Sequence, residues 1–488
     1  MSGLYPRKIR RARENSAGQT ELPKQASLMP HMHTAEIRTL LRLRTPHEHR
    51  EEITFMKRVF PIVLILLVPA VYGATAPAQV TFHKDVEPIL QNRCQECHRP
   101  GEIAPFPMLT YNQVRPWAKA IRSDVLARKM PPWFADPKHG QFSNDRSLSK
   151  AEIETLTAWV DGGAKEGDPK EAPKAKGWVE GWNIAQPDAV ISMKEPFKVP
   201  ATGEVQYQYI VMPTGFTEDK WIQAVEARPS DRSVVHHIVV FIRPAGSTWL
   251  KDALPGIPFA PPGEGKDFKN TSGANNDILM IYTPGMIPEN WRPGLGKLIK
   301  QGSDLVFQAH YTTSGKASED LSQIGLVFAK ETPKQRAVTF AAVNLSFKIP
   351  PQEPNYPVVA KQVFPNGAEV LSFFPHMHLR GKSFEYKLIY PDGRTETVLN
   401  VPKYDFFWQL DYRLDKPLMV PAGARLECTA VYDNSANNAK NPDPAAEVRF
   451  GEQSREEMMM GFFDVVMPAT MTLREFMTPK AEPKPTAE

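Results

Sequence analysis

The chain has 488 residues, long enough for about three domains, and its 47 prolines favour turns and short elements over long helices. Its formal net charge of +4 is concentrated in the first 58 residues. The remainder holds 47 basic and 49 acidic residues, a balance that excludes a nucleic-acid-binding role.

Residues 1–55 are polar and basic without a sustained period, and read as an upstream leader with Met56 as the true start. Met56-Lys57-Arg58, the apolar run Val59 to Val71 and the small residues Gly73, Ala74, Ala76 and Ala78 form the three parts of a secretory signal over 56–78. The apolar core is short for a membrane span, which takes about 20 residues. Export to the periplasm or medium is therefore expected, with membrane attachment only if the signal stays uncleaved.

Cys94-Gln95-Glu96-Cys97-His98 is a C-x-x-C-H motif, the attachment signature of a c-type haem. Each thiol can add to a haem vinyl group, and the next imidazole reaches the iron. The chain has three cysteines and no second C-x-x-C, so a structural zinc site lacks ligands. Three helical patterns surround the motif: Val86, Ile89 and Leu90; Trp117, Ile121 and Val125; and a third opened by a Ser149/Glu152 capping box, with Ile153, Leu156, Trp159 and Val160 inward. Together they predict an all-α cytochrome c domain over 79–165. Met130, before Pro131-Pro132, is the expected sixth iron ligand, with Met108 and His139 as competitors.

A Lys/Glu/Pro/Ala-rich linker follows, within 166–194. Beyond it the period changes to two. Strands are predicted at 205–211, 234–241, 304–311, 369–374 and 384–390, punctuated by Gly, Pro, Asn and Asp. Two antiparallel sandwiches are expected, 195–335 and 336–477, with a seam near 330–345 and a disordered tail over 478–488.

Five histidines fall on these apolar strands in three groups: His236-His237, His310, and His376-x-His378. Residues two apart on a strand leave the same face, so His376 and His378 suit one metal. His236 and His237 are adjacent and need a bulge or strong twist to share one. Imidazole sets suit copper, zinc, iron or nickel, and a thioether such as Met458 would select Cu(I). The bland alternative is a set of buried histidines satisfied by backbone carbonyls.

Four segments in order resemble the copper type II, ascorbate-dependent monooxygenases, the family of the peptidylglycine alpha-hydroxylating enzymes and dopamine beta-monooxygenase. They are Val235-His236-His237-Ile238, Phe307-Gln308-Ala309-His310-Tyr311, His376-Met377-His378-Leu379-Arg380-Gly381-Lys382 and Glu456-Glu457-Met458. The resemblance spans roughly 195–470, and the fusion to a haem segment is similar to bacterial members. It implies two jelly-roll-like sandwiches with two copper ions facing across a solvent-filled cleft. His236, His237 and His310 would hold an electron-storing ion; His376, His378 and Met458 would hold the ion where dioxygen attacks a C–H bond. Where the peptide hydroxylases carry an arginine before the H-x-H pair this chain has Phe374, and Met460 and Phe462 replace an asparagine and a tyrosine after the methionine ligand. A glycine-extended peptide is thus not the expected substrate, and an apolar one is.

The expected function is a copper monooxygenase-like oxidoreductase, fed by its own haem c from an external reductant (a periplasmic donor or ascorbate-like molecule), with O2 and an organic substrate as partners. The alternatives are a haem/copper electron-transfer or copper-binding protein without hydroxylase activity, and a haem protein fused to a partner-binding sandwich with structural histidines.

Overall fold

A computed structural model describes residues 79–260 and 277–479. The expected leader and signal, and the tail from residue 480, lie outside the described residues.

Burial patterns explain the strands. Arg425–Tyr432 alternates half-buried and buried residues, as a strand with one face on a core should. Val235–Arg243 is buried on nearly every residue. Its Ile238, Val240 and Ile242 enter the core of the N-terminal lobe, while Val239 and Phe241 enter a separate apolar layer on the other face. A strand covered on both faces reads as a continuous apolar run.

One large sheet runs through both lobes. Its spatial order is Ala189–Ser192, Gln323–Phe328, Lys220–Arg228, Leu295–Ile299, Gln335–Val343, Met460–Pro468, Ala368–His376 and Tyr412–Val420. The halves join where Leu295 and Gly296 pair in parallel with Gln335 and Arg336, so the predicted seam is itself a strand. A four-stranded sheet packs on each half. Gln208–Pro213, Asp304–Tyr311, Val235–Arg243 and Asp277–Tyr282 cover the N-terminal half. Tyr356–Val363, Arg425–Tyr432, Gly381–Ile389 and Thr395–Val401 cover the other. The outer face of the N-terminal four-stranded sheet then meets the large sheet's far side, where Val239, Phe241 and Ile281 pack with Phe374 and Phe462. Phe373 and Phe463, one residue away on the same strands, point into the C-terminal core.

The expected fold class is corrected by the helical part. Strand takes 36% of the described chain and helix only 12%, with no all-α cytochrome c domain evident. Glu87–Arg93, Tyr111–Val114, Ala118–Leu126 and Lys150–Asp161 are helical, the longest having 12 residues. The Ser149/Glu152 capping box forms, and Phe82, Leu90, Leu156 and Trp159 share a small core. Residues 127–149 add no helix. They run onto the C-terminal lobe, with Trp133 4.9 Å from the Tyr412 ring and Phe142 bridged to Leu414. The physical reason is composition: Pro131, Pro132 and Pro137 prevent helix, and the aromatic side chains between them find burial on the β-lobe. The described residues all fall in one compact unit. The expected linker is held as well, with Lys176 Nζ donating to Gln91 O (2.9 Å) and Arg99 over the Trp178 ring. Among the described residues no helix is long and apolar enough to cross a membrane.

Candidate metal centre

His237 and His310 face each other across the antiparallel pair of Val235–Arg243 and Asp304–Tyr311. The register shifts between Val235 and His237, leaving His236 as the extra residue of a bulge. That local kink is what lets two successive imidazoles share one side of the strand. The three ring centroids stand 4.9 to 5.2 Å apart, and one ligand nitrogen from each lies within 4.8 Å of the others. His236 Nε2 donates to Phe406 O (2.9 Å); a carbonyl can only accept, so Nδ1 keeps its lone pair. That Nδ1 is 3.0 Å from His237 Nδ1. His310 Nε2 meets Ser454 Oγ (3.2 Å), while its Nδ1 is buried with no hydrogen-bond partner.

The second group forms where the Ala368–His376 strand ends. Met377 turns into the C-terminal core, and His376 and His378 stay on the other side with rings 5.2 Å apart and perpendicular. His376 Nδ1 bonds Gln409 Oε1 (2.6 Å), and His378 Nδ1 donates to Glu456 O (3.2 Å). Both leave Nε2 available, and that of His378 is buried and unpartnered. Glu457, fully buried, accepts the backbone N–H groups of His378 (2.8 Å) and Arg380 (2.6 Å). Its carboxylate thereby ties the histidine turn to Met458, which is 5% exposed.

The two groups are not separate. The His237 and His376 rings are 5.6 Å apart, so the five imidazoles make one buried cluster. Where the resemblance implies a solvent-filled cleft, the apolar layer around Phe374 and Phe462 draws the lobes together. Beside the cluster lies a cavity of about 450 Å3, with His237, His376 and Met458 on its wall and Val239, Phe340, Phe374 and Phe462 lining much of the rest.

Burial lowers the pKa of His236 and His376 to about 4. Burial, reinforced by neighbouring imidazoles, holds His237, His310 and His378 well below the ordinary value. All five are neutral at neutral pH, the form that ligates a metal. Two orphaned buried nitrogens and a neutral donor set, with the Met458 thioether on the same cavity wall, fit a soft redox metal such as copper.

In the helical segment, Cys94 and Cys97 are free thiols on a turn in which His98 N–H donates to Cys94 O (2.9 Å). His98 Nδ1 donates to Phe106 O (3.0 Å), leaving Nε2 for an axial ligand. Cys97 also lines a cavity of about 420 Å3 with Arg99, Trp178 and Gly285. This donor set fits a covalently held haem. Met130 is half-buried, four residues after Ala118–Leu126. Met108 is buried in the small helical core, its N–H bonded to His98 O (2.9 Å).

Sequence reasoning missed Phe406, Gln409 and Ser454, which orient ring nitrogens, and Tyr207, stacked 4.5 Å from His310. The run Phe406-Phe407-Trp408, in a loop between strands, was the available signal.

No family model and no curated protein matches the chain. Solved structures that it is similar to include that of the infectious bursal disease virus Gx strain, at 9% identity over 59% of this chain and 74% of that one, TM-score 0.17. PNGF-II matches at 10% identity over 57% of this chain and 65% of its own, TM-score 0.25. The STIV MCP matches at 9% over 52% and 97%, TM-score 0.18. Likenesses at such TM-scores carry no argument about function.

Proposed function

We propose that the chain is an exported haem- and copper-containing oxidoreductase of monooxygenase type that hydroxylates a C–H bond of an apolar substrate. The observation carrying this reading is the cluster itself: five neutral, buried imidazoles and Met458 against the wall of an apolar cavity. His236, His237 and His310 would hold one ion, and His376, His378 and Met458 the other, with Cys94, Cys97 and His98 holding haem. Bound copper would supply one-electron storage and dioxygen activation, and haem a one-electron carrier filled by an external reductant.

The chain's own residues do the rest. Phe406 O, Gln409 and Glu456 O each hold one ring nitrogen, so the opposite nitrogen faces the cluster as a lone pair. Phe374 and Phe462 line part of the cavity with apolar surface and offer no charge to a carboxylate, which favours an apolar substrate. The test is reductant-driven oxygen uptake by copper-loaded protein with apolar candidate substrates under labelled O2. Product carrying the label supports the reading, and uptake yielding only reduced oxygen species refutes it.

A second reading, a haem/copper electron-transfer or copper-binding protein, is favoured by the 5.6 Å approach of His237 and His376, which leaves little room between the groups. It predicts the refuting outcome of the same experiment.

A further inference from the structure

The haem-attachment motif and the histidine cluster meet at one loop. Gly285 sits at the junction with φ +80°, and a Cβ placed on it would lie 3.3 Å from Arg146 Nη1 and 3.6 Å from both Cys97 Sγ and Trp408 Cζ3. The Cys97 sulfur and the Trp408 indole thus both lie at van der Waals distance from one point, at a residue whose positive φ favours glycine. The surrounding bonds fix that convergence. Arg146 donates to Gly285 O (2.9 Å) and lies 4.0 Å from Cys97 Sγ. Two residues before Gly285, Thr283 Oγ1 donates to Gln409 O (2.6 Å). The Thr283–Gly285 segment therefore holds the helical segment and the loop together.

From Trp408 the chain takes one peptide bond to Gln409, whose Oε1 is 2.6 Å from His376 Nδ1. The other direction runs through Phe407, which is 48% exposed, to Phe406, stacked 4.3 Å from His236. The first route is shorter and less exposed, Trp408 being half-buried and Gln409 buried.

We propose that the Phe406–Gln409 loop is a built-in electron conduit from the haem-attachment motif to the histidine cluster, entered at Trp408 and left through Gln409 at His376. The inference rests on the haem and copper reading above and adds which residues connect the two. The step is a simple exchange: one electron leaves ferrous haem, which becomes ferric, and one reduces a cupric ion to cuprous. No bond breaks and no proton moves. The external one-electron or enediol reductant restores the haem.

The experiment uses the full chain carrying haem and copper. Under anaerobic conditions the haem is reduced and its reoxidation is followed by absorbance, with loss of the cupric paramagnetic signal as the second readout. Trp408→Leu is expected to slow both by about tenfold or more, while haem spectrum, haem potential and cupric line shape stay unchanged. Trp408→Phe, which keeps an aromatic ring, is expected to recover most of the rate. A purely structural role would not separate the two variants at equal metal content. Independently, the haem-free Cys94→Ala/Cys97→Ala protein should show brighter tryptophan emission, and Trp408→Phe should remove a measurable part of that gain, Trp117 and Trp178 near the motif supplying the rest. Unchanged transfer in a fully loaded Trp408→Leu protein overturns the conduit and leaves the proposed function standing. A wild-type chain lacking covalent haem or a cupric signal overturns both.

Discussion

His310→Phe separates a ligand from a structural histidine. In the metal-free protein His310 Nδ1 is buried without a partner, which costs about 1–3 kcal/mol. Phenylalanine removes that orphan and keeps the stack on Tyr207, whose ring is 4.5 Å away at 12°. It forfeits the bond to Ser454, worth about 0.5–1.5 kcal/mol. Stability of the metal-free variant should thus change by roughly −0.5 to +2.5 kcal/mol, near neutral or improved. Copper should do the opposite. At free metal a hundredfold above Kd a site contributes about 2.7 kcal/mol, and the variant should lose that protection for the ion held by His236, His237 and His310. Urea unfolding of chelator-treated protein, with and without added copper, reads both. A metal-free loss well above about 2 kcal/mol, or copper protection equal to wild type, would make His310 a packing residue and not a ligand.

Glu457→Gln replaces a carboxylate oxygen that accepts from His378 or Arg380 with an NH2 group, so Cu(I) affinity at His376, His378 and Met458 should fall about tenfold with the other site unaffected; competition titration checks this, and equal loss at both sites contradicts it. Phe462→Ala should cost about 3 kcal/mol and enlarge the cavity enough to take bulkier apolar probes; unchanged stability and unchanged probe binding would remove Phe462 from the lining. The pKa of His236 and His376 is lowered to about 4, so their ligating form persists as pH falls past the ordinary imidazole value. Copper titrations should therefore show little proton competition between about pH 7 and 5, and a steep loss starting near 6.5 would contradict the burial.

Local patterns exposed the strands and part of the site. The alternating run at 304–311 gives the observed strand Asp304–Tyr311, and the bulge needed for His236 and His237 to share a face is present. The Ser149 cap was equally legible because it depends on residues three apart. What stayed hidden is long-range. No local signal announces that Leu295–Ile299 will pair in parallel with Gln335–Val343 and fuse the two sandwiches into one sheet. Trp117 shares a helical pattern with Ile121 and Val125, yet it is 43% exposed and stacks on Phe106 at 4.2 Å while those two are buried. The 127–149 stretch lies inside the span predicted for the helical domain, between its second and third helices and carrying Met130; docking on Tyr412 and Leu414 places it on the β-lobe instead. The sequence shows three histidine groups along the chain, and the structure brings His236, His237 and His310 together; their approach to His376 depends on packing across Phe374 and Phe462, where family resemblance implied an open cleft.

The most direct test is a copper titration of chelator-treated full-length protein, followed by paramagnetic resonance. Saturation is expected at two ions per chain, one lost in His310→Phe and the other weakened in Met458→Ala, with nitrogen splittings from imidazole. A chain that takes up no copper, or takes it up equally in both variants, would contradict it.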